Sequence, residues 1–230
     1  MERMLHWLWL TNIPGIKNTD INAIMEHFDT VDDVFAANDF SGIPGLKPII
    51  KTELKNKSLK TVESILNRTQ QIGAEILTFD NPRFPDLLRQ IDNPPYILYV
   101  SGEIMKWDRL LTIGVVGTRS CTDYGIAATK HICPGLAENG VTIVSGLARG
   151  IDTVAAISAL NAGAKTIAVL GCGLDIAYPP ENADIMKDIK EHGAIISEYP
   201  PGTEPKRGNF PQRNRIISGL SRGVLVAEAP

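Results

Sequence analysis

The apolar positions divide the chain into two parts with different periods. In the first part they recur at helical spacing: Ile21, Ile24, Met25 and Phe28 stand at i, i+3, i+4 and i+7, and Leu59, Val62, Ile65, Leu66 and Ile72 make a second stripe. No strand-like alternation interrupts them, so residues 1–75 are predicted to form a small all-α domain. A proline-rich connector follows, from Asn81-Pro82-Arg83-Phe84-Pro85 to Asp92-Asn93-Pro94-Pro95, and runs into the strand-like Tyr96-Ile97-Leu98-Tyr99-Val100. Beyond it, short runs rich in Val and Ile at 111–116, 141–144, 166–170, 194–197 and 224–227 alternate with helical candidates at 124–138, 151–162, 181–192 and 214–221. Such alternation implies right-handed crossovers and a doubly wound parallel sheet with helices on both faces, so 76–230 is predicted to be an α/β domain. Pro134-Gly135 falls inside the first of these helical candidates and predicts a stop or kink near Cys133.

The helical part carries a short repeat. Ile13-Pro14-Gly15-Ile16-Lys17 returns thirty residues later as Ile43-Pro44-Gly45-Leu46-Lys47, each time placing a Pro-Gly turn ahead of a helical pattern. The spacing resembles SAM-like and helix-hairpin-helix folds, where the turn and the next helix offer backbone N–H groups to a phosphate. Ordinary turn chemistry gives the same pattern, and acids outnumber bases by 11 to 8 over residues 1–80. Contact with DNA and docking of a partner therefore both stand open for this domain.

Composition removes several classes. An apolar fraction of 43% with 21% charged residues excludes disorder, and a net charge of −3 excludes a field that would draw the whole molecule onto a polyanion. Any polyanion site must be local. Cys121, Cys133 and Cys172 are an odd number with no C-x-x-C spacing, which argues against both a disulfide framework and a zinc ribbon and fits a cytoplasmic protein. The four histidines lack ligand spacing, so neither a metal nor a cofactor is expected. No apolar run approaches the roughly 18 residues of a spanning helix, so no membrane partner is expected either.

In doubly wound sheets ligands bind beyond the carboxyl ends of the strands. Three segments there carry candidate chemistry. Gly114-Val115-Val116-Gly117-Thr118-Arg119-Ser120 runs a strand into a small-residue turn with one arginine, but is not G-x-G-x-x-G. Ser145-Gly146-Leu147-Ala148-Arg149-Gly150-Ile151-Asp152 repeats the plan, and the helix opening near Asp152 would aim free N–H groups at an anion. It lacks the Gly-Lys-Ser/Thr of a P-loop. Asp152 itself is read as a helix cap or first-turn carboxylate, and Cys172 as an apolar filler. The third segment, Pro200 to Arg215, belongs to a stretch, 203–223, holding five basic residues (Lys206, Arg207, Arg213, Arg215, Arg222) against Glu204 alone, 5 − 1 = +4. Phe210 sits among these guanidinium groups in a loop stiffened by proline. Arginines fork onto phosphates and a ring stacks on a base, the ingredients of a single-strand site. Equally, Phe210 could pack the loop onto the sheet while the arginines are solvated or pair with Glu198 and Glu228.

Taken together, Val116-Gly117-Thr118-Arg119, the 145–152 turn, Tyr178-Pro179, Ser197-Glu198-Tyr199-Pro200 and Phe210-Pro211-Gln212-Arg213-Asn214-Arg215-Ile216-Ile217-Ser218-Gly219-Leu220-Ser221 closely resemble the DprA/Smf family of DNA-processing proteins. Phe84-Pro85-Asp86-Leu87-Leu88 and Asn93-Pro94-Pro95 match as well. The resemblance implies a SAM-like domain ahead of an extended Rossmann-like domain, and a non-enzymatic role: sequence-independent binding and shielding of incoming single-stranded DNA in natural transformation, with loading of the RecA recombinase. It also implies homodimers. Carried onto this chain, Arg119 grips a phosphate beside the amides of Gly117, Thr118 and Ser120. Arg149, between Gly146 and Gly150, takes the basic position of the second turn. Arg207 matches the basic loop residue and Phe210 the stacking aromatic, while Arg213, Asn214 and Arg215 line the backbone track. Tyr178-Pro179-Pro180-Glu181 has a proline and an acid where relatives often carry a lysine, so the resemblance implies that one phosphate contact is either missing or replaced by Lys187. The family's Rossmann domain continues past the strand at 224–227, so the resemblance implies a shortened member with that strand as an uncovered edge and with dimerisation and RecA contact affected. The competing reading, resting on the glycine turns alone, is a Rossmann-type nucleotide-binding hydrolase.

Overall fold

The computed structural model describes residues 2–103 and 106–229. Its first part is five short helices, α1 Glu2–Thr11, α2 Asn18–Met25, α3 Val31–Ala36, α4 Pro48–Glu53 and α5 Lys60–Gln71. Ile21 and Ile24 of α2 and Val62 and Ile65 of α5 are the buried positions of their stripes. The two Pro-Gly turns behave alike, Gly15 and Gly45 adopting φ of 78° and 75° just before α2 and α4. Only glycine takes that left-handed conformation without strain. Helix α1 buries His6 to Leu10 and forms the hub of the bundle. Next to it Lys57 Nζ lies 4.4 Å from the Trp9 ring centroid and 5.0 Å from that of Phe40, and donates to the Val34 carbonyl at 3.1 Å. Burial pulls its ammonium down to about 8.

The second part is a seven-stranded sheet: β1 Glu75–Thr78, β2 Ile97–Gly102, β3 Leu111–Gly117, β4 Val141–Ser145, β5 Thr166–Leu170, β6 Ala194–Ser197 and β7 Gly223–Glu228, in the order β1-β2-β6-β5-β4-β3-β7. Strands β3 to β7 are mutually parallel, as the alternating pattern predicts. The margin differs from a purely parallel sheet. Strand β2 joins β6 antiparallel, and β1, in a stretch where no strand was expected, joins β2 antiparallel. The connector turns the chain back between β1 and β2, so no crossover is available to make that pair parallel.

Helices α7 Asp123–Glu138, α8 Ile151–Asn161 and α9 Ala183–His192 connect consecutive parallel strands on one face; α10 Asn209–Gly219 covers the other, with the short α6 Asp86–Arg89. One continuous core runs from Trp7, Leu10 and Ile24 through Tyr96 and Tyr99 to Leu170 and Ile195, joining the helical part to the sheet. A second core under α10 is built from Leu88, Val144, Val169, Ile196, Ile216 and Ile217 among others.

Two helical expectations need correction. Helix α7 runs unbroken through Pro134. Its buried residues Gly125, Thr129, Cys133 and Ala137 fall at intervals of four on one face, and packing of that stripe outweighs the hydrogen bond the proline removes. Helix α10 begins at Asn209 rather than 214, so Phe210, Pro211 and Arg213 are helical, not part of a stiff loop. Pro211 lies in the first turn, where N–H groups have no helical partner to lose.

Candidate nucleic-acid interface

Strand order reverses at β3, whose neighbours are β4 and, by the long return through α10, β7. A furrow of about 400 Å³ opens beside this switch point, lined by Gly117 at the end of β3, Arg119 just after it, and Phe210, Arg213, Asn214 and Arg215 of α10, among others. Asn214 is exposed on its rim.

Phe210 is the fixed centre of the furrow. Its half-buried ring lies against Gly171, where a Cβ would stand 2.9 Å from Phe210 Cδ1, so the absence of a side chain there makes room for the ring. Tyr178 stacks against it, with centroids 5.4 Å apart and planes 29° from parallel. The Arg119 guanidinium carbon lies 5.3 Å from the Phe210 centroid and that of Arg213 6.0 Å. Thus the ring is neither entombed nor adrift: aromatic and backbone contacts orient it while its surroundings are cationic.

Although expected on the backbone track, Arg213 is only 4% exposed. Its Nη1 donates to the carbonyl of Gly146 at 2.6 Å and to that of Val169. It balances Asp152, which is buried at the start of α8 and accepts from the N–H of Gly146 at 3.1 Å and of Ala148 at 3.4 Å. Burial pushes the Asp152 carboxyl up, while the Arg213 charge, these amides and the Gly117 amide act against that shift. Burial likewise lowers the Arg213 guanidinium, and Asp152 opposes it. Gly146 leaves space for this arginine; a Cβ would run into the guanidinium. The second glycine turn is therefore saturated from within.

The other expected contacts separate into free and paired groups. Arg119 and Arg207 are exposed and form no ion pair among the described residues. Arg149 pairs with Glu181 at the surface, and Arg215 pairs with Glu198 through Nη2 at 2.6 and 2.7 Å. Lys187, considered in place of a missing lysine, pairs with Asp184 on its own helix. The amides of the first turn are mostly engaged: Thr118 N–H donates to the Glu228 carbonyl at 2.8 Å and Ser120 N–H to Thr118 Oγ1 at 3.3 Å. Gly150, at φ 76°, brings the second turn against the first, and a Cβ there would meet the Thr118 carbonyl oxygen.

Comparison with known proteins adds the family. The model of the family described as DNA recombination-mediator protein A matches residues 75–230. The chain belongs to this family. It is 39% identical over 240 aligned residues to Protein Smf of Synechocystis, covering 98% of this chain and 58% of that protein, and 37% identical over 218 residues to DNA processing protein DprA of Streptococcus pneumoniae, covering 94% and 74%. With Protein Smf of Escherichia coli the match is 42% over 171 residues and spans 46% of that protein. Its fold resembles the crystal structure of the Streptococcus pneumoniae DprA with a TM-score of 0.83 at 34% identity, covering 98% of this chain and 78% of that one. DNA processing protein A from Helicobacter pylori, described for its single-stranded DNA binding mode, aligns with a TM-score of 0.61 at 35% identity over 67% of this chain and 70% of its own.

Two residues of the site escaped the sequence reading. Tyr178 carries no distinct signal in the sequence beyond its motif, although its place in the loop after β5 puts it at the same sheet edge as the glycine turns. Asp152 reads in the sequence as a carboxylate of its own helix; that it also holds the turn amides and balances Arg213 depends on α10 returning 61 residues later in the chain, which no local signal carries.

Proposed function

We propose that this chain binds single-stranded DNA without sequence preference, its strand lying in the furrow beside Phe210. The observation that carries the proposal is the exposed, unpaired Arg119 guanidinium beside an oriented Phe210 ring at the switch point of the sheet. Arg119 and Arg207 would take phosphates, and a base would stack on the half-buried Phe210–Tyr178 pair. Arg215 and Arg149 would join once a phosphate competes with Glu198 or Glu181; Arg213 holds the turn and ring in place from behind. The 37% identical DprA of Streptococcus pneumoniae and the Helicobacter pylori structure support the choice of ligand.

The proposed role is non-enzymatic. Among the described residues of the furrow no nucleophile has an activating base, and in the adjoining pocket behind Phe210 burial pushes the Cys172 thiol up to about 11. The hydrolase alternative rests on the glycine turns alone, and in the second of them the Gly146 and Ala148 amides are already committed to Asp152. In the cell, we place this activity in the cytoplasm, protecting incoming strands during natural transformation and helping to load RecA, with pairing of two chains; strand-exchange assays with RecA and sedimentation of the chain test those parts.

Fluorescence anisotropy with a labelled oligothymidylate tests the binding itself. The expected result is salt-sensitive binding that weakens in Arg119→Ala and Phe210→Ala, Arg119→Ala also flattening the slope of log K against log salt by about 0.7. Unchanged affinity in both variants contradicts the proposal.

A further inference from the structure

Helix α5 carries two unlike faces. Val62, Ile65 and Thr69 are its buried positions, and on the opposite side Lys60, Ser64, Asn67, Arg68 and Gln71 recur at i, i+4, i+7, i+8 and i+11 as one exposed polar stripe. Glu63 is exposed and borders that stripe without lying on it. Packing of the inner face holds the helix whatever soluble residues stand outside. What sets the stripe apart is where its C-terminal end lands.

Arg68 lies across the loop that leads into α10. At Gly202, whose φ of 84° already favours glycine, a Cβ would run into the Arg68 guanidinium, so that group rests directly on loop backbone. The same loop is strapped to the segment after β5: Gly173 N–H donates to the Thr203 carbonyl at 2.9 Å, and Gly202 N–H donates to Asp175 Oδ1 at 2.7 Å. Two residues before Gly173, Gly171 makes room for the Phe210 ring, and its carbonyl accepts from Asn209 Nδ2 at 3.0 Å. Phe210 and Arg68 therefore stand at the two ends of one short strip of backbone, 171–175, with the exposed Lys206 and Arg207 on the loop between Gly202 and α10. Arg68 is itself exposed and forms no ion pair among the described residues. The acids nearest in the loop and its strap do not pair with it: Asp175 is taken by the Gly202 amide, and Glu204 is exposed two residues further on. A guanidinium placed by packing against backbone rather than by a counter-charge keeps its fork of donors available for a phosphate.

We propose, taking the furrow to hold single-stranded DNA, that the strand leaves it over the 200–208 loop and continues onto the exposed stripe of α5, where Arg68 takes a phosphate and Asn67 and Gln71 flank the backbone. The helical part is then the second half of the DNA site. Continuity favours a strand over an acidic protein as the occupant. Arg207, Lys206 and Arg68 follow one another along the loop away from Phe210, a succession suited to the repeating phosphates of one chain.

The experiment measures anisotropy of labelled oligothymidylates of about four and about 16 nucleotides, the range of single-strand site sizes, on the full chain across salt. Wild type is compared with Arg68→Gln, Arg68→Lys and Arg119→Ala. Arg68→Gln is expected to weaken the long strand about fivefold and to flatten its salt slope by about 0.7, with the short strand unchanged, and Arg68→Lys to restore the slope. Wild-type affinity or an unflattened slope for the long strand in Arg68→Gln overturns the inference and leaves the stripe to an acidic protein. An equal loss at both lengths also overturns it, being the mark of a loop loosened beneath the furrow, as does a flattened slope that Arg68→Lys fails to restore. Arg119→Ala separates the two regions. Binding lost at both lengths in that variant, with no effect of Arg68→Gln, leaves the furrow standing alone; strands of both lengths unmoved by Arg119→Ala sink the furrow and its extension together.

Discussion

The turns after β3 and β4 are written almost alike, strand, glycine, arginine, helix, and they end in opposite states. After β3, Arg119 is exposed and unpaired beside Phe210. After β4, Asp152 takes the amides of Gly146 and Ala148, Arg213 takes the Gly146 carbonyl, and Arg149 is tied to Glu181. A glycine turn with an arginine is therefore not in itself an anion site. What decides is whether the rest of the chain supplies a counter-charge of its own, and one buried carboxylate with its arginine turns the second turn into scaffold on which the first is presented.

The sharpest way to break this contrast is to remove the scaffold charge. Arg213→Ala removes the charge that opposes the burial of the Asp152 carboxyl and leaves that group without its partner in the interior, and is expected to destabilise the chain by about 3–5 kcal/mol, measured by urea unfolding, while Arg119→Ala stays within about 0.5 kcal/mol of wild type. Equal stability of the two variants would erase the distinction between the turns. The acid side follows with a definite sign. Because the folded state raises the Asp152 carboxyl above its unfolded value, this group's contribution is fully present below the unfolded value and is lost as pH rises through the folded one. Against Asp152→Asn, wild type is therefore expected to gain relative stability as pH is lowered toward 4, read from thermal unfolding across pH.

Next in size is the ring. Phe210→Ala is expected to cost about 1–3 kcal/mol in single-strand affinity by anisotropy, with little change in salt slope, because stacking releases no counterions. Tyr178→Ala sharpens it: if Tyr178 only orients Phe210, affinity falls by less than in Phe210→Ala. The smallest effect concerns the second turn. Glu181→Gln frees Arg149 from an exposed, solvent-screened pair that adds little to the fold. The salt slope is then expected to steepen by about 0.7 if the released guanidinium reaches a phosphate, and to stay put if that turn is scaffold throughout.

Much of this was legible from periodicity. Val- and Ile-rich runs marked all five parallel strands, and the i, i+4 stripe of α7 was strong enough to carry the helix through a proline that, read locally, should have broken it. Strand β1 was not legible, because Glu75–Thr78 is four residues following directly on a helical stripe and acquires its partner only when β2 folds back on it. At the site, Phe210 and the arginines were visible as a local cluster of charge around a ring. Which arginines remain free was not. Arg213 and Asn214 are adjacent in sequence, yet on α10 one faces the sheet and the other solvent, a distinction of about 100° that composition does not carry. The pairing of Arg215 with Glu198 stood as one of two open readings, and contacts 17 residues apart across a loop settle it only in three dimensions.

Photocrosslinking tests the central claim most directly. An oligothymidylate carrying iododeoxyuridine, irradiated on the intact chain and mapped by mass spectrometry, is predicted to attach at Phe210 or Tyr178, with attachment lost in Arg119→Ala. Attachment confined to segments away from both β3 and α10, or unchanged by that substitution, would contradict the account.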